Sequence, residues 1–485
     1  MDVRLAGNLF KTSDFIQCKK LILAVSGGSD SLALLFLVKD HLKTLSVPPE
    51  MIAVTVDHQL RKESAREAEN VAQICRAHHI KHIVVRWEGQ KPKMHIASSA
   101  RVARYNLLFK EAQKQGATLI MTGHTLNDQV ETYQMRSQRL QKSINALQRE
   151  TLQGMRDGAY FTETKKNIAQ KNSVLAEKSY GLMYARGLSC IPREALLHRK
   201  IRLIRPLLSV ERKTLRAYLR FKGKTWIDDP TNEDCNFERV RVRQSLHQKK
   251  LADIVQKVRE AAFQRRQQAQ IIADLILALD IMVEYGRCFI AKPAPFLQQH
   301  PGFPFVVGLF AVLMGGGGYL LSLQKLINLI QKLCFHSSET RRFTYAGSVI
   351  EYNRGGIALW REARNMKEAI VESGKTFLWD GRYQITNHGV DAIKVGAAGL
   401  EQLKSLLRNS HVNFKNPHFP SLQSLLMISN DKGYDIPELT YQAVSHFHKN
   451  ISIKRIMAPF DWLSSREDAV LVNVVEPFFN VEVKR

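Results

Sequence analysis

With 485 residues, 45% of them hydrophobic and 24% charged, the chain has the composition of a globular protein of roughly two to four domains. Lys and Arg number 71 against 45 Asp and Glu, and the net charge of +26 favours a polyanionic partner, either nucleic acid or an anionic membrane surface. No secretory signal is apparent, and the longest apolar stretch, residues 303–321, is broken by Pro304 and by four consecutive glycines, which argues against a membrane span. The six cysteines form no CxxC pair, so neither a zinc ribbon nor a redox motif is indicated, and a cytoplasmic location is expected.

The first 125 residues alternate short apolar runs with helical patterns. In chain order, strands are predicted at residues 21–25, 51–56, 82–85 and 118–122, with helices at 31–45, 65–78 and 96–115 between them. This alternation predicts an α/β fold with a parallel sheet that is covered by helices on both faces. Ligands of such sheets bind at the carboxyl ends of the strands.

The loop after the first strand carries the most specific pattern in the chain. It consists of Ser26, Gly27, Gly28, Ser29, Asp30 and Ser31. Two glycines allow a sharp turn and a close approach of the backbone to a ligand, and the free N–H groups at the start of a helix attract phosphates. The loop lacks the GxxxxGK[ST] spacing of a Walker loop, so a phosphate loop of another kind is predicted. The alternative is a Gly-Ser turn that only connects the strand to the helix. A carboxylate at Asp30 repels phosphates unless a cation intervenes, and Mg²⁺ is the expected cation.

Two further polar clusters suit a nucleotide. Asp57 and His58 directly follow the second strand, where a purely structural polar loop is the alternative. Arg101 and Arg104 are three residues apart on the third helix and therefore share a face. Paired guanidiniums recognise phosphate or carboxylate groups, although a solvated basic face is the alternative here.

The sequence after the fourth strand, Gly-His-Thr-Leu-Asn-Asp-Gln-Val-Glu-Thr, begins another helix. Thr125 is the predicted N-cap, and Asp128 three positions later resembles the acidic member of a capping box. His124, Asp128 and Glu131 line one face near the helix start. Asp128 is a candidate Mg²⁺ ligand, and Glu131 a candidate to hold a cationic amine or to accept its proton. The alternative is a capping Asp beside a surface Glu.

In this order, the SGGxDS, DHxLR, ARxARY and GHTxxDQxET patterns resemble the tRNA(Ile)-lysidine synthetase family of PP-loop ATP pyrophosphatases. The resemblance covers residues 18–135 and resumes at residues 205–208 and 226–239. Family members often carry an Arg-Gly-Ser-Gly-like loop soon after the fourth motif, whereas this chain has Arg-Ser-Gln-Arg at residues 136–139, followed by a long basic insertion. The C-terminal third resembles the family only through its Gly-rich helix end and a Trp-Asp-Gly-Arg segment.

The resemblance implies a ligase that uses ATP and Mg²⁺. ATP adenylates the C2 oxygen of the wobble cytidine in the isoleucine tRNA with a CAU anticodon, and the ε-amine of free L-lysine then displaces AMP. The lysidine that forms changes the specificity of the tRNA from methionine to isoleucine. We expect catalytic roles for Asp30, Asp128 and Glu131 and a Mg²⁺ site at Asp30 and Asp128. The expected ATP site comprises the six loop residues together with Asp57, His58, Arg101, Arg104 and His124.

Three domains are expected along the chain. They are a PP-loop domain at residues 1–225 with a basic insertion at about 136–200, a mainly helical tRNA-binding domain at 226–340, and an α+β domain at 341–485 that contacts tRNA. Helical patterns at 210–221, 245–285 and 303–335 and β-rich stretches at 344–360 and 376–386 support this division. The insertion is expected to be helix and loop that orders on RNA, or else a solvated helical insertion. The expected tRNA contacts are Arg205, Arg239, Arg241 and Arg243.

Three other functions remain open on the sequence. An amidotransferase such as an asparagine or GMP synthetase needs an ammonia source, and no glutaminase portion is recognisable. A PP-loop tRNA thiolase requires a cysteine that carries sulfur or a cluster near the site, and Cys18 and Cys75 are isolated. A non-catalytic basic RNA-binding protein explains the net charge but leaves Asp30 and Asp128 without a role. Oligomeric state is not predicted.

Overall fold

The computed structural model describes residues 9–61, 63–92, 94, 96–156, 186–228, 238–245, 251–333, 340–409, 417–440 and 450–479. The chain forms two compact units. The first consists of Met1–Lys142, Ala185–Gln264 and Trp462–Glu467, and the second of Ser143–Tyr184, Arg265–Asp461 and Asp468–Arg485. The division into three domains with boundaries after residues 225 and 340 stays a prediction. Residues 157–185 of the predicted insertion lie outside the described residues.

A seven-stranded sheet forms the centre of the first unit. Its strands are β1 (Lys20–Ala24), β2 (Glu50–Asp57), β3 (Lys81–Arg86), β4 (Leu119–Thr122), β5 (Glu194–Leu197), β6 (Ile201–Ile204) and a C-terminal strand, Leu463–Ser465. Across the sheet the order is C-terminal strand, β5, β6, β4, β1, β2, β3. Strands β3, β2, β1, β4 and β6 are parallel, whereas β5 and the C-terminal strand pair antiparallel at one edge. The predicted parallel sheet is confirmed, and the two antiparallel edge strands are additional.

The helices described for residues 9–278 are α1 (Ser29–Leu42), α2 (Ser64–Ala77), α3 (Ile96–Gln115), α4 (Leu126–Arg156), α5 (Arg212–Phe221), α6 (Glu238–Ser245) and α7 (Leu251–Ala278), with short 3₁₀ turns at Thr12–Asp14 and Pro206–Ser209. Helices α1, α2, α3 and α5 begin and end close to the predicted positions, and α6 is additional. Helices α4 and α7 each begin in residues of the first unit and end in residues of the second. Helix α4 continues through residues 136–156 of the predicted insertion. That stretch has no proline and one glycine, so nothing in its backbone chemistry ends the helix.

The side chains of β1 alternate between two apolar cores, one on each face of the sheet. Leu21 and Leu23 pack with the apolar residues of α1, including Leu32. Ile22 packs on the opposite side with Tyr105 and Leu108 of α3. Continuous apolar strands of this kind are typical of a parallel sheet with both faces covered, as predicted.

The strand order reverses between β1 and β4. From β1 the chain proceeds through β2 and β3 to one edge and then returns to β4 on the other side. The loops after these two strands meet closely, because a Cβ atom on Gly123 would lie 3.0 Å from the backbone carbonyl of Asp30. In open α/β sheets such a reversal creates the crevice in which ligands bind.

The second unit contains a five-stranded antiparallel sheet. In spatial order its strands are Ile281–Glu284, Arg287–Ala291, Gly356–Arg361, Ser348–Asn353 and Arg341–Tyr345. Helices Phe303–Gly315 and Leu323–Lys332 supply apolar residues to the same core. The first two strands form a hairpin that replaces the end of the helix predicted for residues 245–285, because Tyr285 (φ 48°) and Gly286 (φ 73°) make a tight turn.

Two smaller antiparallel sheets complete the second unit and confirm the predicted α+β C-terminal region. One contains Ala369–Val371, Ile393–Ala397, Leu426–Asn430 and Gly433–Asp435, and the other Thr376–Trp379, Tyr383–Asn387 and Ile451–Arg455. The remaining helices are Pro295–Gln298, Leu400–Asn409, Phe419–Leu422, Pro437–Thr440, Ala458–Asp461 and Ala469–Val475, with 3₁₀ turns at Arg466–Asp468 and Glu476–Phe479. Within the described ranges, no helix combines the length and apolar character that a membrane crossing requires. The predicted cytoplasmic location stays a prediction.

Candidate nucleotide and carboxylate site

The loop of residues 26–31 joins the carboxyl end of β1 to the start of α1. Gly27 has a φ of 84°, a left-handed conformation that glycine adopts without strain. A Cβ atom on Gly27 would lie 3.1 Å from Cδ1 of Ile227 and 3.2 Å from Cγ2 of Val71. Gly28 is the N-cap of α1 and makes no side-chain cap. The N-terminus of α1 is therefore presented at the crevice with the geometry of an anion site.

The serine hydroxyls of this loop bond mainly within it. The Ser31 hydroxyl donates to the carbonyl of Gly28 (3.0 Å) and accepts from the backbone N–H of Ser26 (3.1 Å). Oγ of Ser26 lies 3.2 Å from Oγ of Ser31. The Ser29 hydroxyl donates to Oδ1 of Asp30 (3.1 Å). Ser31 thus fixes the shape of the loop, while Ser29 orients the carboxylate of Asp30.

Three carboxylates gather around one guanidinium beside this loop. Nε of Arg212 donates to Oδ2 of Asp30 at 2.8 Å, its Nη2 lies 3.8 Å from Oδ1 of Asp128, and its Nη1 lies 4.0 Å from Oε1 of Glu131. We call Asp30, Asp128 and Glu131 the acidic cluster. Asp30 lies in the first turn of α1, the other two carboxylates lie near the start of α4, and Arg212 is the first residue of α5. The structure thus brings together all three predicted catalytic residues.

Glu131 is the most buried member, with 1% of its surface exposed. Its Oε1 accepts a 2.8 Å hydrogen bond from Nε of Arg243, and its Oε2 lies 3.8 Å from Nε of Arg239. Among the described residues, Oε2 accepts no hydrogen bond. Arg239 and Arg243 of α6 therefore lie against the acidic cluster, whereas Arg241 of the same helix is exposed. Their predicted contact with tRNA stays a prediction.

The start of α4 has the predicted capping arrangement. Oδ2 of Asp128 accepts hydrogen bonds from the backbone N–H (2.8 Å) and the hydroxyl (3.0 Å) of Thr125. Burial alone would raise the pKa of Asp128, but His124, the Thr125 N–H and Arg212 outweigh it and hold that pKa below its ordinary value. Burial and the charge of Arg205 lower the pKa of His124 to about 3. At neutral pH the pair is therefore an ionised carboxylate beside a neutral imidazole, whose Nδ1 lies 2.8 Å from Oγ1 of Thr122.

A second imidazole, His58, follows β2. Nε of Arg104 donates to Nε2 of His58 at 3.3 Å, and burial together with the charge of Arg104 lowers the pKa of His58 to about 4. Nδ1 of His58 is buried and has no hydrogen-bond partner in the part of the chain that the structure describes. Asp57 is buried and accepts a 2.9 Å hydrogen bond from the backbone N–H of Gln59. The structure joins Arg104 to His58, whereas Arg101 lies over the ring of Tyr105, 5.3 Å from its centroid.

Arg205 at the end of β6 is fully buried, with 0% of its surface exposed. Its Nη1 donates to the carbonyl of Pro192 (2.7 Å), and its Nη2 lies 3.5 Å from the hydroxyl of Tyr105. In this conformation Arg205 presents no surface to a macromolecule, so its predicted contact with tRNA stays a prediction. Its charge acts instead on His124 and Tyr105.

Comparisons with known proteins identify the family. The family model of the PP-loop domain matches residues 2–168 and 176–250. The tRNA(Ile)-lysidine synthase of Bartonella quintana is 75% identical over 485 residues and covers 100% of both chains. The chain belongs to the tRNA(Ile)-lysidine synthase family. The synthase of Brucella anthropi is 33% identical over 484 residues and covers 96% of this chain and 95% of its own.

Membership of the tRNA(Ile)-lysidine synthase family confirms the predicted resemblance, the PP-loop fold and the class of enzyme, a tRNA-modifying ligase. It also agrees with the prediction of ATP binding. A solved structure, the U34-tRNA thiolase of Methanococcus maripaludis with its [4Fe-4S] cluster, is 16% identical and covers 50% of this chain and 70% of its own. The TM-score between the two structures is 0.34.

Sequence reasoning missed two parts of this site. The sequence gives no signal for Arg212, although it is the residue that joins the acidic cluster. The segment 226–228 contributes to the family resemblance, and the backbone N–H of Ile227 donates to the carbonyl of Gly27 at 3.0 Å. Arg216 ties this segment to α5 through Asp228 (2.6 Å) and lies over the ring of Trp226, 5.5 Å from its centroid. No local sequence pattern predicts the contact of Arg212 with the acidic cluster or that of Ile227 with Gly27, because the partners are far apart in the chain.

Proposed function

We propose that this chain ligates L-lysine onto C2 of the wobble cytidine in the isoleucine tRNA with a CAU anticodon. ATP adenylates the C2 oxygen and pyrophosphate leaves, after which the ε-amine of lysine attacks C2 and AMP departs. The observation that carries this proposal is the acidic cluster beside the phosphate loop. An anion site and a cation site that share Asp30 suit a reaction in which a nucleoside triphosphate activates a base and a cationic amino acid then attacks that base.

The phosphate side of the site supports cleavage of ATP between the α- and β-phosphates. Negative charge builds on pyrophosphate as it leaves, and backbone N–H groups at a helix start stabilise such charge. We place the pyrophosphate oxygens at the first turn of α1, where Gly27 forms the turn and the hydroxyl of Ser31 bonds to the carbonyl of Gly28. Arg101 and Arg104 are proposed to contact the nucleotide, with neutral His58 as a hydrogen-bonding neighbour.

Asp30 and Asp128 are the proposed ligands of Mg²⁺. The ion usually binds one or two carboxylates together with phosphate oxygens and waters, so it does not require a cage of protein ligands. No group of three or more candidate metal ligands occurs among the described residues, and the two carboxylates fit this shared mode. When bound, Mg²⁺ would neutralise part of the negative charge of the phosphates.

The lysine side of the site is proposed at Asp128 and Glu131. The side chain of free lysine arrives as an ammonium ion with a pKa of about 10.4, so a nearby base must accept a proton before the amine attacks. Glu131 is buried, and its Oε2 has an unused acceptor position among the described residues. Asp128 is held in its ionised form by its neighbours. Both carboxylates therefore have the charge that an ammonium group requires.

The tRNA side rests on charge rather than on a single contact. A net charge of +26 favours the phosphate backbone, and Arg239, Arg241 and Arg243 are proposed to lie near the anticodon arm. The wobble cytidine has to leave its stack to reach the crevice, which costs a few kcal/mol. Binding energy from contacts with the remainder of the tRNA offsets this cost.

Transfer of labelled lysine to tRNA tests the proposed function. The purified chain is incubated with labelled lysine, Mg²⁺ and an isoleucine tRNA transcript with a CAU anticodon, with or without ATP. The expected result is label in the tRNA only when ATP is present, with one AMP and one pyrophosphate released per lysine incorporated. Incorporation of sulfur instead of lysine, or RNA binding without consumption of ATP, would overturn the proposal in favour of a thiolase or a non-catalytic RNA-binding protein.

A further inference from the structure

We propose that Arg212 is an internal competitor for the acidic cluster, so that lysine binds well only after a nucleotide has drawn this guanidinium away. This inference rests on the proposed function, because it assigns the acidic cluster to the ammonium group of lysine. It adds an order of binding, with the nucleotide before the amino acid, and a residue that enforces it.

The guanidinium stands where a cationic ligand has to bind. Its three nitrogens lie 2.8, 3.8 and 4.0 Å from carboxylate oxygens of Asp30, Asp128 and Glu131, respectively. An ammonium group that contacts Asp128 and Glu131 would therefore meet Arg212 within the distance of a direct ion pair. Two cations of like charge do not share such a position without a strong mutual repulsion.

The local charge explains why lysine binds weakly before the nucleotide arrives. Asp30, Asp128 and Glu131 carry three negative charges, and Arg212, Arg239 and Arg243 offset them with three positive ones. The cluster is thus neutral as it stands and offers little attraction to a further cation. If Arg212 leaves, its positive charge no longer faces Asp128 and Glu131, and these two carboxylates can then pair with an ammonium group.

The nucleotide is placed to remove Arg212. The strongest contact of the guanidinium, with Asp30, lies in the first turn of α1, where the phosphates are proposed to bind. A guanidinium forms planar, paired hydrogen bonds with phosphate as well as with carboxylate, because it matches both geometries. The backbone of Arg212 stays fixed, since its N–H donates to Oδ1 of Asn127 at 2.9 Å. Only the side chain, which is 21% exposed, has to turn.

The second observation that points to a ligand is the buried Oε2 of Glu131. It lies in the cluster with no hydrogen-bond donor among the described residues, although a buried carboxylate oxygen ordinarily has one. Arg239 approaches this oxygen only to 3.8 Å. The cluster therefore retains an acceptor for the N–H of a ligand, which Arg212 does not use in this conformation.

Calorimetric titration of lysine into the full-length protein tests the proposal. The titration is performed with Mg²⁺ alone and with Mg²⁺ plus an ATP analogue whose α- and β-phosphates are joined by a methylene group, which prevents cleavage. In the wild type we expect the analogue to tighten lysine binding at least about fivefold, the lower end of usual couplings between two sites. Because coupling is reciprocal, lysine should tighten binding of the analogue by the same factor, and this comparison requires no variant.

Two variants then separate Arg212 from general loss of charge. In Arg212→Gln we expect lysine to bind the nucleotide-free protein more tightly than it binds the wild type, and the coupling factor to fall towards one. Lys213→Gln is the matched control, because Lys213 is the next residue of α5, is exposed and pairs with Glu211 rather than with the cluster. It should keep the wild-type coupling. Arg212→Lys keeps the charge, so it should retain competition, and it serves if Arg212→Gln does not fold.

Three outcomes would overturn the proposal. They are lysine binding by the wild type that is equal with and without the analogue, no lysine binding in the presence of the analogue, and unchanged coupling in Arg212→Gln. The transfer of lysine to tRNA by the wild type distinguishes this failure from that of the proposed function. If lysine is transferred but no coupling is found, only the role of Arg212 is wrong. If no lysine is transferred, the proposed function itself fails.

Discussion

The backbone N–H of Ile227 donates a 3.0 Å hydrogen bond to the carbonyl of Gly27. The side chain of Ile227 also fills the space in which a Cβ atom of residue 27 would lie, at 3.1 Å. The segment after α5 therefore holds the phosphate loop in its turn, and the loop depends on a residue 200 positions away in the chain. The glycine at position 27 is required by two independent constraints, its backbone conformation and this neighbour.

Gly27→Ala should weaken binding of ATP at least about tenfold, which corresponds to roughly 1.4 kcal/mol. The new methyl group meets Ile227 and Val71, and the left-handed φ of 84° is unfavourable for alanine. Nucleotide affinity is measured by calorimetry. Gly89→Ala is the matched control, because Gly89 has a φ of 83° but no described atom within 4 Å of its added Cβ. If the two variants bind ATP equally well, crowding at the phosphate loop does not matter.

Glu131→Gln should raise the KM for lysine at least about 30-fold, because loss of one member of a buried charge cluster costs roughly 2 kcal/mol or more. The KM for ATP should change much less, since Glu131 lies on the lysine side of the proposed site. Steady-state kinetics with each substrate varied in turn measures the difference. Glu111→Gln is the control, because Glu111 is also buried but bonds to Gln115 of its own helix. Equal increases in both KM values would refute the assignment.

His58 should make the stability of the protein depend on pH. Its pKa of about 4 in the folded state lies below its ordinary value of about 6.5, so the unfolded chain binds a proton first as the pH falls. The stabilisation is complete above about pH 6.5 and is lost progressively towards about pH 4, by up to about 1.4 kcal/mol per pH unit for one proton. His58→Gln accepts a hydrogen bond from Arg104 without titrating.

Urea unfolding at a series of pH values measures this effect. Between about pH 6 and pH 4.5, the free energy of unfolding should fall less steeply in His58→Gln than in the wild type. His124, whose pKa is also lowered, contributes equally to both proteins and cancels in the comparison. Identical slopes would show that His58 is not held neutral by burial and Arg104.

Gly316→Ala should destabilise the second unit by more than about 2 kcal/mol. Gly316 ends the apolar helix Phe303–Gly315 with a φ of 74°, and its added Cβ would lie 2.2 Å from the backbone carbonyl of Asp380. Thermal unfolding measures the loss. Gly318→Ala, two residues further on, has no described atom within 4 Å of its new Cβ and should leave the unfolding temperature unchanged. A small effect at both positions would contradict the close packing of these two loops.

The strands and helices of the first unit were predictable because their signals are local. The apolar run before Ser26 and the glycine turn after it fix β1 and the start of α1 without reference to distant residues. The same holds for Thr125 and Asp128, whose capping contact joins residues three apart. Reversal of strand order beside β1 then places Asp30 and Asp128 in one crevice by topology alone.

The rest depends on contacts between distant segments, which no local pattern shows. Arg212 lies 182 positions from Asp30, and its charge resembles that of its neighbours on a basic helix. The C-terminal strand Leu463–Ser465 is only three residues long, and it pairs with Glu194–Leu197, a segment far earlier in the chain. The sequence predicts Arg239 and Arg243 as basic residues that contact tRNA, whereas in the structure both lie against Glu131.

The most direct test of the central claim is the mass of the anticodon nucleosides after reaction. The full-length protein is incubated with ATP, Mg²⁺, L-lysine and the isoleucine tRNA transcript with a CAU anticodon, and a transcript with uridine at the wobble position serves as the control. The account predicts that the wobble cytidine gains the mass of one lysine minus water and that the uridine transcript is unchanged. A wobble cytidine that remains unmodified in the presence of all substrates would contradict the account.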